Sequence, residues 1–310
     1  MGARKLIMIA TTASLFAAFA VTEIPGSASA SSPGRKDLIA YRGLGTWVDA
    51  YDFSREKNTK GPPPVAPSAV DSMARQGIKT LYIQASKSDS DTPNLLLSQD
   101  LLGQFMQRAH DHGIRVVAWY LPKFISPTTD WNHVKAVLDF RYNGHKFDSF
   151  GLDIESRDQS DLDTRNTRLI NLTKKMRSYV GQAMPLSAIV LPPVVTEIIN
   201  RNYWPRFPWD QIKPYYDVYQ PMSYYTNRTQ QSGYRDAYRY LMDNVRILHN
   251  LLKSPIAAVH PIGGIADQSS TKDFQDMVRA DRDSSSIGGS AYDWNTTSSS
   301  AYSTLRNVPS

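Results

Sequence analysis

The sequence predicts a single (β/α)8 barrel, and three observations carry that prediction. Short apolar, β-rich runs recur eight times, beginning near residues 44, 79, 115, 148, 186, 217, 256 and 287. Between them apolar residues fall at helical spacing, as in Leu101, Leu102, Phe105, Met106 and Ala109, and again in Tyr238, Leu241, Met242, Val245, Leu248 and Leu252. Two helix-to-strand junctions are nearly explicit: "MARQGIKTLYIQ" (73–84) and "AHDHGIRVVAWY" (109–120) place Gly77 and Gly113 where a helix end often needs positive φ. Strands alternating with amphipathic helices are parallel βα units, and eight of them close into a barrel. An open doubly wound sheet is the alternative. It would want a glycine-rich turn after the first strand, where this chain has the long loop "DAYDFSREKNTKGPPPVAPS".

The N-terminus is set apart from the barrel. Arg4 and Lys5 precede an uncharged stretch from Leu6 to Val21, and Ala28-Ser29-Ala30 supplies a small-x-small cleavage site. Residues 1–30 therefore read as a secretory signal peptide, 31–41 as a polar lead-in and 42–310 as the barrel. Export is expected, with no membrane attachment once the leader is removed, and a monomer is expected.

Composition narrows the function. The chain has no cysteine, which excludes disulfides, thiolate metal sites and a cysteine nucleophile. Its formal charge is +6, and loss of residues 1–30 leaves 33 basic against 28 acidic residues, or +5. The basic residues are scattered without a block, so no nucleic acid partner is expected. The acidic "SDSD" at 88–91 lacks the alternating ligands and glycine of a calcium loop, and neither metal nor cofactor is expected.

In such a barrel the strand C-termini form the functional face. Taken in order, the first strand (GLGTWVDA) offers Trp47, Asp49 and Asp52, the second (KTLYIQA) Gln84 and Ser86, and the third (RVVAWYL) Trp119 and Tyr120. The fourth (DSFGLDIE) offers Asp153 and Glu155, while the fifth (LSAIVLP) leads into the aromatic loop "NRNYWPRFPWDQ", either a sugar platform or a hydrophobic plug. The sixth (DVYQPMSYY) gives Gln220, Tyr224 and Tyr225, the seventh (IAAVHPI) His260, and the eighth (IGGSAYDW) Tyr292, Asp293 and Trp294. Acids and flat rings at one mouth suit a glycan: carboxylates serve the glycosidic oxygen, and rings stack on sugar faces. Trp119 and Tyr120 could equally fill the barrel, and His260 reads as structural.

The fourth strand carries the sharpest signal. Side chains two apart share a face, so Phe150, Leu152 and Ile154 can pack outward while Gly151, Asp153 and Glu155 face the lumen and mouth. Two carboxylates so placed repel as dianions and push one pKa upward, which a general acid near neutral pH requires.

These residues resemble the fourth-strand signature of family 18 glycoside hydrolases, the chitinase-like barrels, Asp-Gly-x-Asp-x-Asp-x-Glu. Asp148, Asp153 and Glu155 match its first and last two acids, Ser149 replaces its glycine and Gly151 its middle acid. The run Gln220-Pro-Met222-Ser-Tyr224-Tyr225 resembles that family's Gln-x-Met-x-Tyr-Asp/Asn, and Trp294 ends the last strand where the family commonly has a tryptophan. The resemblance implies a retaining glycosidase in which the substrate's own 2-acetamido group attacks. Glu155 would be the acid/base, Asp153 would orient the acetamido group, Tyr224 would hold its oxygen and Trp294 would floor the subsite. Without the middle acid, Asp153 is expected to stay ionised. Two alternatives stay open: a non-catalytic carbohydrate-binding barrel, or a glycosidase whose second acid is Asp49 or Asp293.

Overall fold

A computed structural model describes residues 37–310; the expected signal peptide lies outside them, as does most of the lead-in. Nine parallel strands follow in chain order: β1 (Gly43–Val48), β2 (Thr80–Ser86), β3 (Arg115–Tyr120), β4 (Ser149–Ile154), β5 (Leu186–Val190), β6 (Val218–Pro221), β7 (Ala258–Val259), β8 (Ile262–Ile265) and β9 (Gly288–Tyr292). Their order around the sheet is β7-β6-β5-β4-β3-β2-β1-β9-β8.

Nine pieces make eight staves. β7 and β8 are halves of the expected seventh strand, parted at His260-Pro261 because proline has no N–H to give the ladder. β7 pairs with β6, Met222 bridges to Ile262, and β8 pairs with β9, so this broken stave closes the (β/α)8 barrel. The backbone N–H of Ile287 donates to Val259 O at 2.9 Å across the same seam.

The helices are α1 (Ala50–Phe53), α2 (Ala69–Gln76), α3 (Gln99–Asp111), α4 (Pro127–Asp139), α5 (Leu162–Val180), α6 (Trp209–Ile212), α7 (Ala237–Leu252), α8 (Thr271–Asp283) and α9 (Ser299–Leu305). Gly77 and Gly113 end α2 and α3 with φ of 85° and 69°, as the sequence predicts. Between β5 and β6 the regular helix is replaced by an irregular segment ending in the single turn α6. There Trp204, at 2% exposed, and Trp209 fill the space against the barrel's outer side, so most of the aromatic loop is a plug. No helix of the described residues is long and apolar enough to cross a membrane.

Apolar residues form two shells. Outward-facing strand residues, among them Phe150, Leu152 and Ile154, pack against the helices, while Trp47, Tyr82, Trp119, Ile189, Met222 and Ile262 fill the lumen. Ala40 and Tyr41 belong to the lumen cluster, so the barrel begins inside the expected lead-in. Tyr41 stops the end remote from the mouth, with its hydroxyl 2.6 Å from Ser149 Oγ. Gly263-Gly264 and Gly288-Gly289, in β8 and β9, allow close packing: a Cβ at Gly264 would strike Tyr225, and one at Gly288 would strike His260 and the Gly43 backbone.

Candidate active site

The strand ends enclose a pocket of about 280 Å³ whose walls include Trp47, Asp49, Gln84, Trp119, Asp153, Glu155, Met222, Tyr224 and Tyr292. β4 delivers its acids as alternation requires, Asp153 within the strand and Glu155 one residue past its end. Asp153 is the deeper of the two, buried with Oδ1 making no hydrogen bond. Burial raises the pKa of both acids, and the charge of Glu155 adds to the rise at Asp153. Lys87 pulls the other way at each. The pair therefore holds a proton to unusually high pH. That departs from the expectation that Asp153 stays ionised, because the carboxyl is buried and no donor reaches its Oδ1.

Gly151 explains why the middle acid is missing. A Cβ there would lie 2.8 Å from Ser187 Oγ and 3.1 Å from Ile189 Cδ1, so β5 occupies the space that an acidic side chain would need. Asp148, the first acid of the motif, sits at the opposite end of the strand. It accepts from Val116 N at 2.8 Å and from Arg115 Nη1 at 3.0 Å, and it lies 2.9 Å from His110 Nε2. It is structural.

The aromatic floor is made by Trp47, which stacks on Tyr82 with ring centroids 4.3 Å apart, inclined by 13°. Trp119 meets it edge-on at 6.1 Å, and its own indole N–H makes no hydrogen bond. Tyr292 donates its hydroxyl to Asp49 Oδ2 at 2.7 Å and packs against Tyr224 at 5.8 Å, so the three form one wall. Gln84 spends its carbonyl oxygen on the Ala50 N–H at 2.9 Å. His260 stands below with its pKa pushed down to about 4 by burial, and it serves structure, as expected.

Several residues expected at the mouth are not on the pocket wall. The Ser86 hydroxyl donates to Leu95 O at 2.6 Å, and that of Tyr120 to Asp130 Oδ1 at 2.8 Å. Gln220 lies deeper in the lumen, fully buried, with neither amide atom hydrogen-bonded. Tyr225 starts a 3-10 turn just after β6, which sends its ring to the outer shell, where its hydroxyl meets Ser269 Oγ at 2.8 Å. Asp293 and Trp294 follow the end of β9, so strand alternation no longer governs them. Asp293 Oδ1 accepts from Thr296 N and from its hydroxyl, each at 2.9 Å. Trp294 packs on Tyr302 of α9 at 5.4 Å; only its backbone serves the site, donating to Trp47 O at 2.9 Å.

Conversely, Tyr51, Lys87, Leu121, Ile189 and Ile262 line the pocket without having been singled out from the sequence. Lys87 was within reach, one residue beyond Ser86 at the end of β2. At the rim, Asp49, Asp52 and Asp293 each bring a carboxylate oxygen within 4.8 Å of the others, close enough for a cation. Internal bonds already engage them, and burial with the charges of Asp293 and Asp49 raises the Asp52 pKa to about 7, so a proton on Asp52 relieves the repulsion.

No family model matches the sequence, and no curated protein sequence matches it. Solved structures do resemble the fold. An endo-1,4-beta-D-mannanase from Thermotoga petrophila RKU-1 aligns with a TM-score of 0.60 at 12% identity, over 82% of this chain and 88% of that one. A chitinase from Bacteroides thetaiotaomicron gives 0.59 at 10% identity, over 86% and 94%, and a class V chitinase from Nicotiana tobaccum 0.58 at 12%, over 86% and 98%. The fold is glycoside hydrolase-like, and the distant resemblance to family 18 drawn from the strand motifs is matched by chitinase barrels over most of the chain.

Proposed function

We propose that the chain is an exported, retaining glycoside hydrolase that cleaves a 2-acetamido-sugar glycan with the substrate's own assistance. The observation that carries this reading is the buried acid pair of Asp153 and Glu155 on the lumen side of one strand, above an indole floor and beside Tyr224. Trp47 and Trp119 take the place at the pocket floor that the motif would give to Trp294. An entering acetamido N–H set against Asp153 favours the carboxylate there and leaves the pair's proton to Glu155. Glu155 then protonates the glycosidic oxygen as the acetamido carbonyl oxygen attacks the anomeric carbon and the C–O bond breaks. The resulting oxazolinium ring is opened by water, which gives a proton back to Glu155 and restores the original configuration.

The test uses Glu155→Gln and Asp153→Asn with 2-acetamido and plain hexose oligomers. Glu155→Gln removes the proton donor and should cost ~10²–10⁴ in rate with Tm nearly unchanged. Asp153→Asn should cost activity strongly, and a thiazoline mimic of the cyclised intermediate should inhibit. Asp49 favours one second reading, since it lines the same pocket and could act as nucleophile. Cleavage of a glycan without an acetamido group at the scissile subsite would select that reading. Tight binding with no turnover would select a carbohydrate-binding barrel instead.

A further inference from the structure

The cleft continues past Glu155. A second hollow of about 330 Å³ shares Glu155, Met222 and Tyr224 with the first and is walled beyond them by Tyr203, Arg228 and Tyr240. A third, of about 380 Å³, continues from Tyr203 and is lined by Arg157, Arg165 and the start of α5 at Leu162.

Three arginines thus face one side of the glutamate, and none is matched by an acid. Arg177, Arg206 and Arg235 each pair with an aspartate, but Arg157, Arg165 and Arg228 form no ion pair among the described residues. Arg165 is 5% exposed, its Nε has no hydrogen-bond partner, and its guanidinium lies 4.3 Å over the Trp204 ring. Arg157 stacks on Tyr203 at 4.3 Å, and the Nε of Arg228 is also unpartnered. Arg165 Nη1 donates to Gln159 O at 3.1 Å and Arg157 Nη1 to Tyr203 O at 3.4 Å, which holds each guanidinium flat on its ring and leaves its other N–H groups for a planar oxyanion. The Tyr240 hydroxyl, buried on the wall of the second hollow, has no hydrogen-bond partner either. Its neighbour Asn244 is already committed to Val194 N and Ser223 Oγ.

Nearby acids do not cancel this charge. Asp163 is paired with Arg206 at 2.9 Å, Asp161 caps α5 through Thr164 N at 2.8 Å, and Asp158 is exposed at the surface. A buried, uncompensated guanidinium is costly, and a ligand anion relieves that cost.

We propose that this side of Glu155 is a binding track for carboxylates carried on the glycan. The substrate is then a 2-acetamido glycan whose neighbouring residues bear negative charge, as uronic acids or as carboxyl ethers. The acetamido half rests on the proposed function; the carboxylate half stands on the arginines alone.

The test measures binding by calorimetry on the full chain in a Glu155→Gln background. The probes are neutral chitohexaose, a hyaluronan hexamer, a hexagalacturonate without acetamido groups, and a glycan strand bearing lactyl ethers. At about 50 mM salt the charged probes should bind about tenfold tighter than chitohexaose, and the advantage should vanish near about 500 mM. Arg157→Gln and Arg228→Gln should each erase much of the advantage; Arg157 is exposed and Arg228 half-buried, so they cover the case where Arg165→Gln fails to fold. Equal affinity for neutral and charged probes, or variants that weaken both alike, would overturn the track. Arginine-dependent binding of hexagalacturonate, with no acetamido glycan cleaved by the unmutated chain, keeps the track and removes the proposed function. Cleavage of chitohexaose with no charge preference does the reverse. The tighter of the hyaluronan and lactyl-ether probes identifies which carboxylate the track takes.

Discussion

The indole N–H of Trp47 donates to Ser290 Oγ at 2.8 Å, fixing the pocket floor from a neighbouring strand. Ser290 Oγ also lies 3.1 Å from His260 Nε2, and His260 Nδ1 is 2.9 Å from the Tyr41 carbonyl oxygen. The carbonyl can only accept, so Nδ1 carries the proton and Nε2 accepts from the serine hydroxyl. One serine thus orients a tryptophan and a neutral histidine together.

Ser290→Ala should therefore strand two buried polar groups at once. Loss of about 1–3 kcal/mol is expected for a buried group left unpaired, read by urea unfolding. Sugar affinity should fall as well, because the Trp47 ring loses its anchor. Full stability in the alanine variant would show that the indole finds another acceptor.

Trp294 and Trp119 should differ in what they do to the ligand. Trp294→Ala removes packing against Tyr302 and should cost about 1–3 kcal/mol with little change in glycan affinity. Trp119→Ala should weaken both ligand and fold, since its ring lines the pocket and also packs edge-on against Trp47 in the buried lumen. Calorimetric binding beside thermal unfolding separates the two, and a large affinity loss at Trp294 would contradict the arrangement described.

Supplying the middle acid of the family 18 motif at Gly151 should fail. Gly151→Asp forces a side chain against Ser187 and Ile189, and overpacking of this kind costs about 1–3 kcal/mol. Adding Ser187→Gly should recover part of that loss. An undiminished melting temperature for the single variant would mean that the lumen has slack there.

Asp52 predicts a pH dependence with a definite sign. Its folded pKa, about 7, lies above the ordinary 3.8, so the folded chain holds a proton that the unfolded chain releases. Stability from this group is complete below about pH 4 and is lost progressively as pH rises through about 7. Asp52→Asn should match the parent near pH 4, gain on it up to pH 7, and hold a constant lead above. Parallel stability curves across that range would place no titration at Asp52.

Asp153 was legible because it sits within β4, where a period of two leaves no choice of side, and Glu155 keeps that direction one residue beyond the strand. Where a turn starts directly after the strand, the rule fails. Tyr225 and Trp294 follow the last paired positions of β6 and β9, and the turn that begins there, not the pleat, aims them. Tyr41 escaped notice because the lead-in is polar on average, although Ile39–Tyr41 forms its own turn against the lumen. Lys87 was missed because it stands just past β2, and only the folded chain shows it beside Glu155. The three unmatched arginines could not be read at all: pairing is a property of neighbours in space.

The broken seventh stave should make one side of the molecule softer than the rest. β6 and β7 share two ladder positions, against five between β4 and β5, and Pro261 withholds an N–H at the break. Local opening begins where the fewest bonds must be given up together. Amides of residues 258–265 should then exchange with deuterium sooner than those of β2 to β4. Met222 and Ile262 bridge this seam and also line the pocket. Each opening should therefore unfasten one wall of the cleft while the strand bearing Asp153 stays zipped.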